Sequence, residues 1–200
     1  MTVFAKDISG WRFRFAGAAP WLVAMFIIAG LVHILSVLAM PRLAERDAYA
    51  RFAEIAPVNQ LRLISPDEAA RLLPYEDPAM AMAVCRFDLS QGPLRLRGNL
   101  AGGGLLLLSF RDRLGRAFFA MTDRGTSRGR LDVIIATRAQ LDAIEAQDEE
   151  DETPAELRLP ARGETGFILL RALARESGAM DEVRQRLGAL SCASQKPAQQ

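Results

Sequence analysis

The chain is almost without histidine. Its 200 residues contain one, His33, and residues 41–200 contain none. That absence removes Ser-His-Asp and Cys-His nucleophile systems from the polar part of the chain, along with helical HExxH zinc sites and histidine-ligated copper or iron. Lysine is nearly as scarce. After residue 40 only Lys196 remains, in the polar tail 194–200, a poor place for the base of a serine–lysine dyad. Cysteine is limited to Cys85 and Cys192, far apart in sequence, so a CxxC redox or zinc site is excluded by spacing. No cysteine follows the apolar run closely enough to serve as a lipid-attachment site. The net charge of +1 carries no basic excess of the kind that nucleic-acid binders need, so nucleic acid is not an expected partner. Carboxylate chemistry and calcium held by oxygen ligands are what remain. The acidic run 148–152 (DEEDE) lacks the alternating ligands and turn glycine of an EF-hand loop, and reads as an exposed loop. No catalytic, cofactor-binding or metal-ligating residue is assigned, and no cofactor is expected.

Charge is missing from one long stretch. The 26 residues 15–40 carry no formal charge. Within them, residues 20–40 (PWLVAMFIIAGLVHILSVLAM) would form a helix about 31 Å long, matching a hydrocarbon core of about 30 Å. Pro20 suits a first helical turn and Pro41 marks the other edge. Trp11, Phe13, Phe15 and Trp21 interleave with Arg12 and Arg14, as in a chain crossing the headgroup layer. A cleaved signal peptide ending near residues 37–39 is the competing reading; the run is long for such a core, which favours an uncleaved anchor. Flanking charge does not decide orientation, since Lys6, Arg12 and Arg14 precede the run and Arg42, Arg46 and Arg51 follow it. The cysteines are more informative. In a translocated domain Cys85 and Cys192 would form one disulfide, closing a loop of about 107 residues worth about 4–5 kcal/mol in the chain-entropy model. In a cytosolic domain they would be two small buried thiols. The bridged form is preferred, with the N-terminus cytoplasmic and the following domain in the periplasm of a bacterial inner-membrane protein. Inside the helix, Ala29, His33 and Ser36 share a face. There His33 either meets a transmembrane partner, together with Ser36, or stays neutral and bonds a backbone carbonyl or Ser36.

Past the anchor the pattern is mixed. Residues 42–56 read as a juxtamembrane helix, and Ser65, Pro66 and Glu68 mark the capped start of a short one. From residue 82 the period drops to two: Met82, Val84, Arg86 and Asp88 fall on one face, Ala83, Cys85, Phe87 and Leu89 on the other. Further strands are expected over 94–98, 104–110, 116–121, 131–136, 156–159 and 166–173, with 116–121 folding back on 104–110 as a hairpin. Thr137 caps a short helix over 138–146, and an amphipathic helix over 180–190 delivers Cys192. The fold class is therefore α+β: an N-terminal transmembrane helix followed by a mainly antiparallel β sandwich with a few short helices. The divisions are an arm (1–19), an anchor (20–40), a helical segment (41–76), a β-rich domain (77–192) and a tail (193–200).

Local features yield little chemistry. Gly102, Gly103 and Gly104 lack a phosphate-loop context and read as a turn. Residues 111–130 hold six arginines against two aspartates, a surface that could meet anionic lipid, glycan or phosphate but reads first as a solvated hairpin. Asp88, Asp112 and Asp123 are the carboxylates an enzyme would use, and each is equally a strand-end or turn residue.

The stretch from Asp77-Pro78 through Cys85-Arg86-Phe87-Asp88-Leu89 to Gly92-Pro93-Leu94-Arg95, continuing through Leu107, Ser109-Phe110-Arg111-Asp112, Gly115 and Thr122-Asp123-Arg124, resembles the bacterial family known as domain of unknown function 1254. The resemblance spans roughly residues 77–192 and has the form of the short anchored members of alphaproteobacteria. It implies a β-rich, jelly-roll-like domain facing out of the cell, without an established activity, and a companion of the domain-of-unknown-function 1214 type on the same chain or on a separate anchored protein. Members often carry an aromatic before the Ser-containing strand, where this chain has Leu105 to Leu108, so a binding surface there would differ. Two functions follow: an envelope protein whose outer domain binds a protein or envelope partner, or a carboxylate-dependent enzyme or small-ligand binder acting on cell-envelope material.

Overall fold

A computed structural model describes residues 8–43, 47–72, 77–100, 104–126, 129–148 and 156–195, with only the backbone given for 8–17, 41, 42 and 177. The chain divides into two compact units, Met1–Glu45 and Arg46–Gln200. The first is one helix, α1 (Ile8–Leu43). Its stretch Ala18–Met40 is long and apolar enough to cross a membrane. The two prolines do not bound the helix as expected: it begins before Pro20 and runs past Pro41. Proline's fixed φ is itself helical, and its missing N–H removes one bond from a ladder of 36 residues.

The second unit is a two-sheet β structure. One sheet has the order β1-β2-β8-β4-β5, formed by β1 (Leu61–Ile64), β2 (Met80–Asp88), β4 (Leu106–Asp112), β5 (Ala117–Thr122) and β8 (Thr165–Leu173). The other has the order β7-β6-β3-β9, from β3 (Leu94–Asn99), β6 (Arg130–Ala136), β7 (Leu157–Pro160) and β9 (Ser191–Ser194). All pairings are antiparallel except β6 with β7, which the crossover helix α4 (Arg138–Glu145) makes parallel. Helix α5 (Met180–Gly188) leads from β8 to β9.

Alternation decides which side chains meet between the sheets. Along β4, Leu106, Leu108 and Phe110 are buried and their neighbours are not, the signature of one covered face. They join Ala83, Cys85, Phe87, Leu94, Leu96, Val133, Ile135, Ile168 and Leu170 in the main core. Strand β2 is buried on both faces. Its outer face is covered by α2 (Ala48–Ala53) and α3 (Pro66–Leu72): Phe52, Ala69, Met82, Val84 and Phe167 form a second cluster, with the Phe52 and Phe167 rings 5.0 Å apart. The two faces assigned to residues 82–89 from their period are the two faces seen. Residues 41–76, divided off as a helical segment with helices over 42–56 and from Ser65, hold the end of α1, the six-residue α2, the unexpected strand β1 and the expected short helix α3. The helix over 42–56 is interrupted because Asp47 caps a new start, accepting from the Ala50 N–H at 2.7 Å.

Candidate functional site

The strongest local constraint is covalent. Cys85, at the centre of β2, is bonded to Cys192 on β9, so one link ties an inner strand of the first sheet to the edge strand of the second. Both cysteines lie in the core, Cys85 fully buried.

The three candidate carboxylates do not converge. Asp88 ends β2 and accepts from the Ser90 N–H at 3.0 Å. Asp112 ends β4, is buried, and accepts from the Arg116 backbone N–H at 2.9 Å and from its Nε at 2.7 Å. Asp88 pairs with Thr165 and Asp112 with Gly166, so both lie at one end of the first sheet, with β8 between them. Asp123 follows Thr122, which pairs with Leu107, and so lies at the other end. Each performs a turn or strand-end task, and the two cavities described below bring no two of them together. Among those residues no group of three His, Cys, Asp or Glu side chains could hold a metal ion.

Asp123 lines a small cleft at its end of the sandwich. The cleft measures about 40 Å³ and is walled by Leu100, Leu105, Leu106, Val183, Leu187 and Leu190, with Asn99, Asp123 and Arg186 also lining it. This is room for a few waters, not for a sugar or peptide. A larger hollow of about 440 Å³ lies between α3 and β2, where Ile64, Ala69, Met80 and Met82 meet Asp77 and Arg184.

The arginine run is largely spent on structure. Arg113 pairs with buried Asp47, Arg116 with Asp112, and Arg111 donates to Ser109 Oγ at 3.0 Å and to the Gly115 carbonyl at 2.8 Å. On the second sheet, Arg95 forks onto Asp132 at 2.7 and 2.8 Å, and Arg97 joins the same carboxylate at 3.2 Å. The Arg95 bonds hold the Asp132 carboxyl below the usual aspartate range. Asp148, the first residue of the acidic run, pairs with Arg158, which also holds Glu156. The rest of that run, together with Gly102, Gly103 and Lys196, lies outside the described residues.

On α1, Ala29, His33 and Ser36 share one side with Trp21, Met25 and Val32. Sequence reasoning passed over Arg86. It is buried on the outer face of β2, its guanidinium 4.1 Å from the Tyr49 ring and donating to the Ala56 carbonyl at 2.9 Å. Nε has no partner, and no carboxylate pairs with it among the described residues. The signal was present: the period of two put this arginine on the face it shares with Met82 and Val84.

No protein-family model matches the chain, and no curated protein does. Among solved structures, the chain is similar in fold to the VPA0106 protein of Vibrio parahaemolyticus, with a TM-score of 0.53 at 15% identity. The match covers 76% of this chain and 38% of that one. An uncharacterised protein from Burkholderia cenocepacia aligns with a TM-score of 0.44 at 14% identity, over 62% of this chain and 35% of its own. The chain thus spans well under half the length of the solved proteins it resembles.

Proposed function

We propose that this chain is a single-pass protein of a bacterial inner membrane, anchored by α1 with its N-terminus in the cytoplasm, whose β domain lies in the periplasm and binds a protein or envelope partner. The observation that carries the compartment is the Cys85–Cys192 bridge in a domain that follows an apolar helix. Disulfides form and persist in oxidising compartments and are rare where glutathione keeps thiols reduced. An alkaline-phosphatase fusion at the C-terminus is expected to be active; an inactive, stably made fusion would put the domain in the cytoplasm.

Partner binding rests on the resemblance to the domain-of-unknown-function 1254 family, which implies a companion of the 1214 kind on the same chain or on a separate anchored protein. Gentle detergent extraction and pull-down, read by mass spectrometry, should recover such a companion in near-equal amount. Recovery of the chain alone would sink this part of the reading. The carboxylate-dependent alternative gains nothing from the geometry, because Asp88, Asp112 and Asp123 are each engaged in local turns.

A further inference from the structure

The β4–β5 hairpin carries an exposed leucine between two exposed arginines, at the point where the chain enters the domain. Leu114 is 39% exposed. Outside α1, only Val58, Leu114 and Leu157 are large apolar side chains with comparable exposure among the described residues. The arginines on either side, Arg113 and Arg116, have side chains 61% and 66% exposed. Each engages its aspartate through Nε. Among the described residues their terminal Nη1 and Nη2 groups have no partner, and more than half of each side chain is exposed. That is the geometry that takes a phosphate in bidentate fashion.

The hairpin is fastened to the first residues of the domain. The Tyr49 N–H donates to the Arg113 carbonyl at 3.2 Å, Asp47 pairs with Arg113, and a Cβ on Gly115 would meet Ala48 Cβ at 3.2 Å. The apolar run ends at Met40, seven residues before Asp47. Seven extended residues reach roughly 25 Å at most. This bound follows from covalent length alone. Wherever the anchor leaves the hydrocarbon, Asp47 and the hairpin bonded to it are held within reach of the headgroup layer. Val58 lies at the same end of the first sheet: it bridges Arg86, which pairs with Phe167, which pairs with Arg111.

We infer that the hairpin tip 113–116 is a foot on the membrane surface, with Leu114 entering the interfacial layer while Arg113 and Arg116 bind lipid phosphates. An apolar tip between snorkelling cations suits that layer. Three arginines, Arg111, Arg113 and Arg116, face two aspartates, Asp47 and Asp112, so the tip keeps one positive charge. Glu54 and Glu164 lie exposed at the same end of the domain. Attraction is therefore local to the guanidinium ends and not a long-range field. The inference rests on α1 being an anchor and is independent of which side of the membrane the domain occupies.

The test uses the full chain in liposomes containing phosphatidylglycerol, with Trp11→Phe and Trp21→Phe removing native tryptophan and Leu114→Trp or Leu157→Trp adding one probe. Resistance to alkaline carbonate extraction establishes anchoring first; extraction would refute the anchor and with it the premise. In anchored protein, the probe at 114 should be blue-shifted and quenched by lipids brominated close to the headgroup, while the probe at 157 stays unquenched. Arg113→Lys with Arg116→Lys keeps the charge opposite both aspartates but removes the forked donors, and should weaken quenching at 114. An anchored protein whose probe at 114 is unquenched overturns the inference, and a blue shift without quenching would assign the tip to a protein contact instead. Equal quenching at 114 and 157, or quenching unchanged by the lysine pair, also overturns it.

Discussion

A Cβ built on Gly166 would fall 2.3 Å from the Arg111 carbonyl oxygen and 2.5 Å from Phe87 Cζ. Here β8 passes so close to β4 and to a core ring that only glycine fits. Gly166→Ala should therefore cost about 1–3 kcal/mol, a fall in Tm of several degrees. Gly163→Ala, where nothing lies within 4 Å, should leave thermal unfolding nearly unchanged. Asp132 gives a residue-scale prediction in pH. Its carboxyl is held below the ordinary aspartate range, chiefly by the Arg95 bonds. A depressed folded-state value means the stabilisation is present above about pH 4 and is lost as pH falls through the folded value. Denaturant titrations of wild type should thus show a declining acid limb below about pH 4, and Asp132→Asn should flatten it. The arginines of this cluster were visible as the alternation in residues 94–98, but their partner was not, because it lies across a strand pair whose register no local pattern announces.

Thr137 caps α4 by accepting from the Gln140 N–H at 3.3 Å, while Gln140 Oε1 accepts from the Thr137 N–H at 2.9 Å. The same glutamine donates from Nε2 to the Leu89 carbonyl at 2.8 Å, so one cap also secures the turn after β2. Thr137→Ala should cost about 1 kcal/mol, read as a lower denaturation midpoint with an unchanged slope. Caps of this kind, at Thr137 and at Ser65 with Glu68, were legible because their chemistry is confined to four neighbouring residues. Seven of the nine described strands were legible, six of them six or more residues long and so able to show an apolar or alternating face; the seventh, β7, is short. Strands β1 and β9 were not. Both are four-residue edge strands, and β9 (Ser-Cys-Ala-Ser) has no large apolar side chain to mark a face. Residues around Asp47 read as continuous helix because apolar spacing persists across them, and only the cap interrupts it.

At the scale of the whole molecule, the bridge is the feature that both sequence and fold support. Its loss should lower stability by about 2–5 kcal/mol. Cys85→Ala, Cys192→Ala and the double variant should fall by similar amounts, because either single change already opens the link; a double variant costing the sum would mean the thiols act separately. The general architecture was open to inspection because burial periodicity and one charge-free run report on solvent directly. Function was not, since the polar groups found together, such as Arg86 over Tyr49, are assembled by tertiary packing from segments with no shared motif. The bridge has a mechanical meaning as well. Its two sulfurs enclose a stretch of 107 residues that includes six described strands complete and parts of the two that bear the cysteines. Tension applied between the anchor end and the chain's C-terminus would pass from Cys85 to Cys192 and bypass that stretch. Pulling on single molecules should show a length on the order of 370 Å that appears only after a reductant is added. A chain tugged at both ends would thus keep most of its β domain out of the load path.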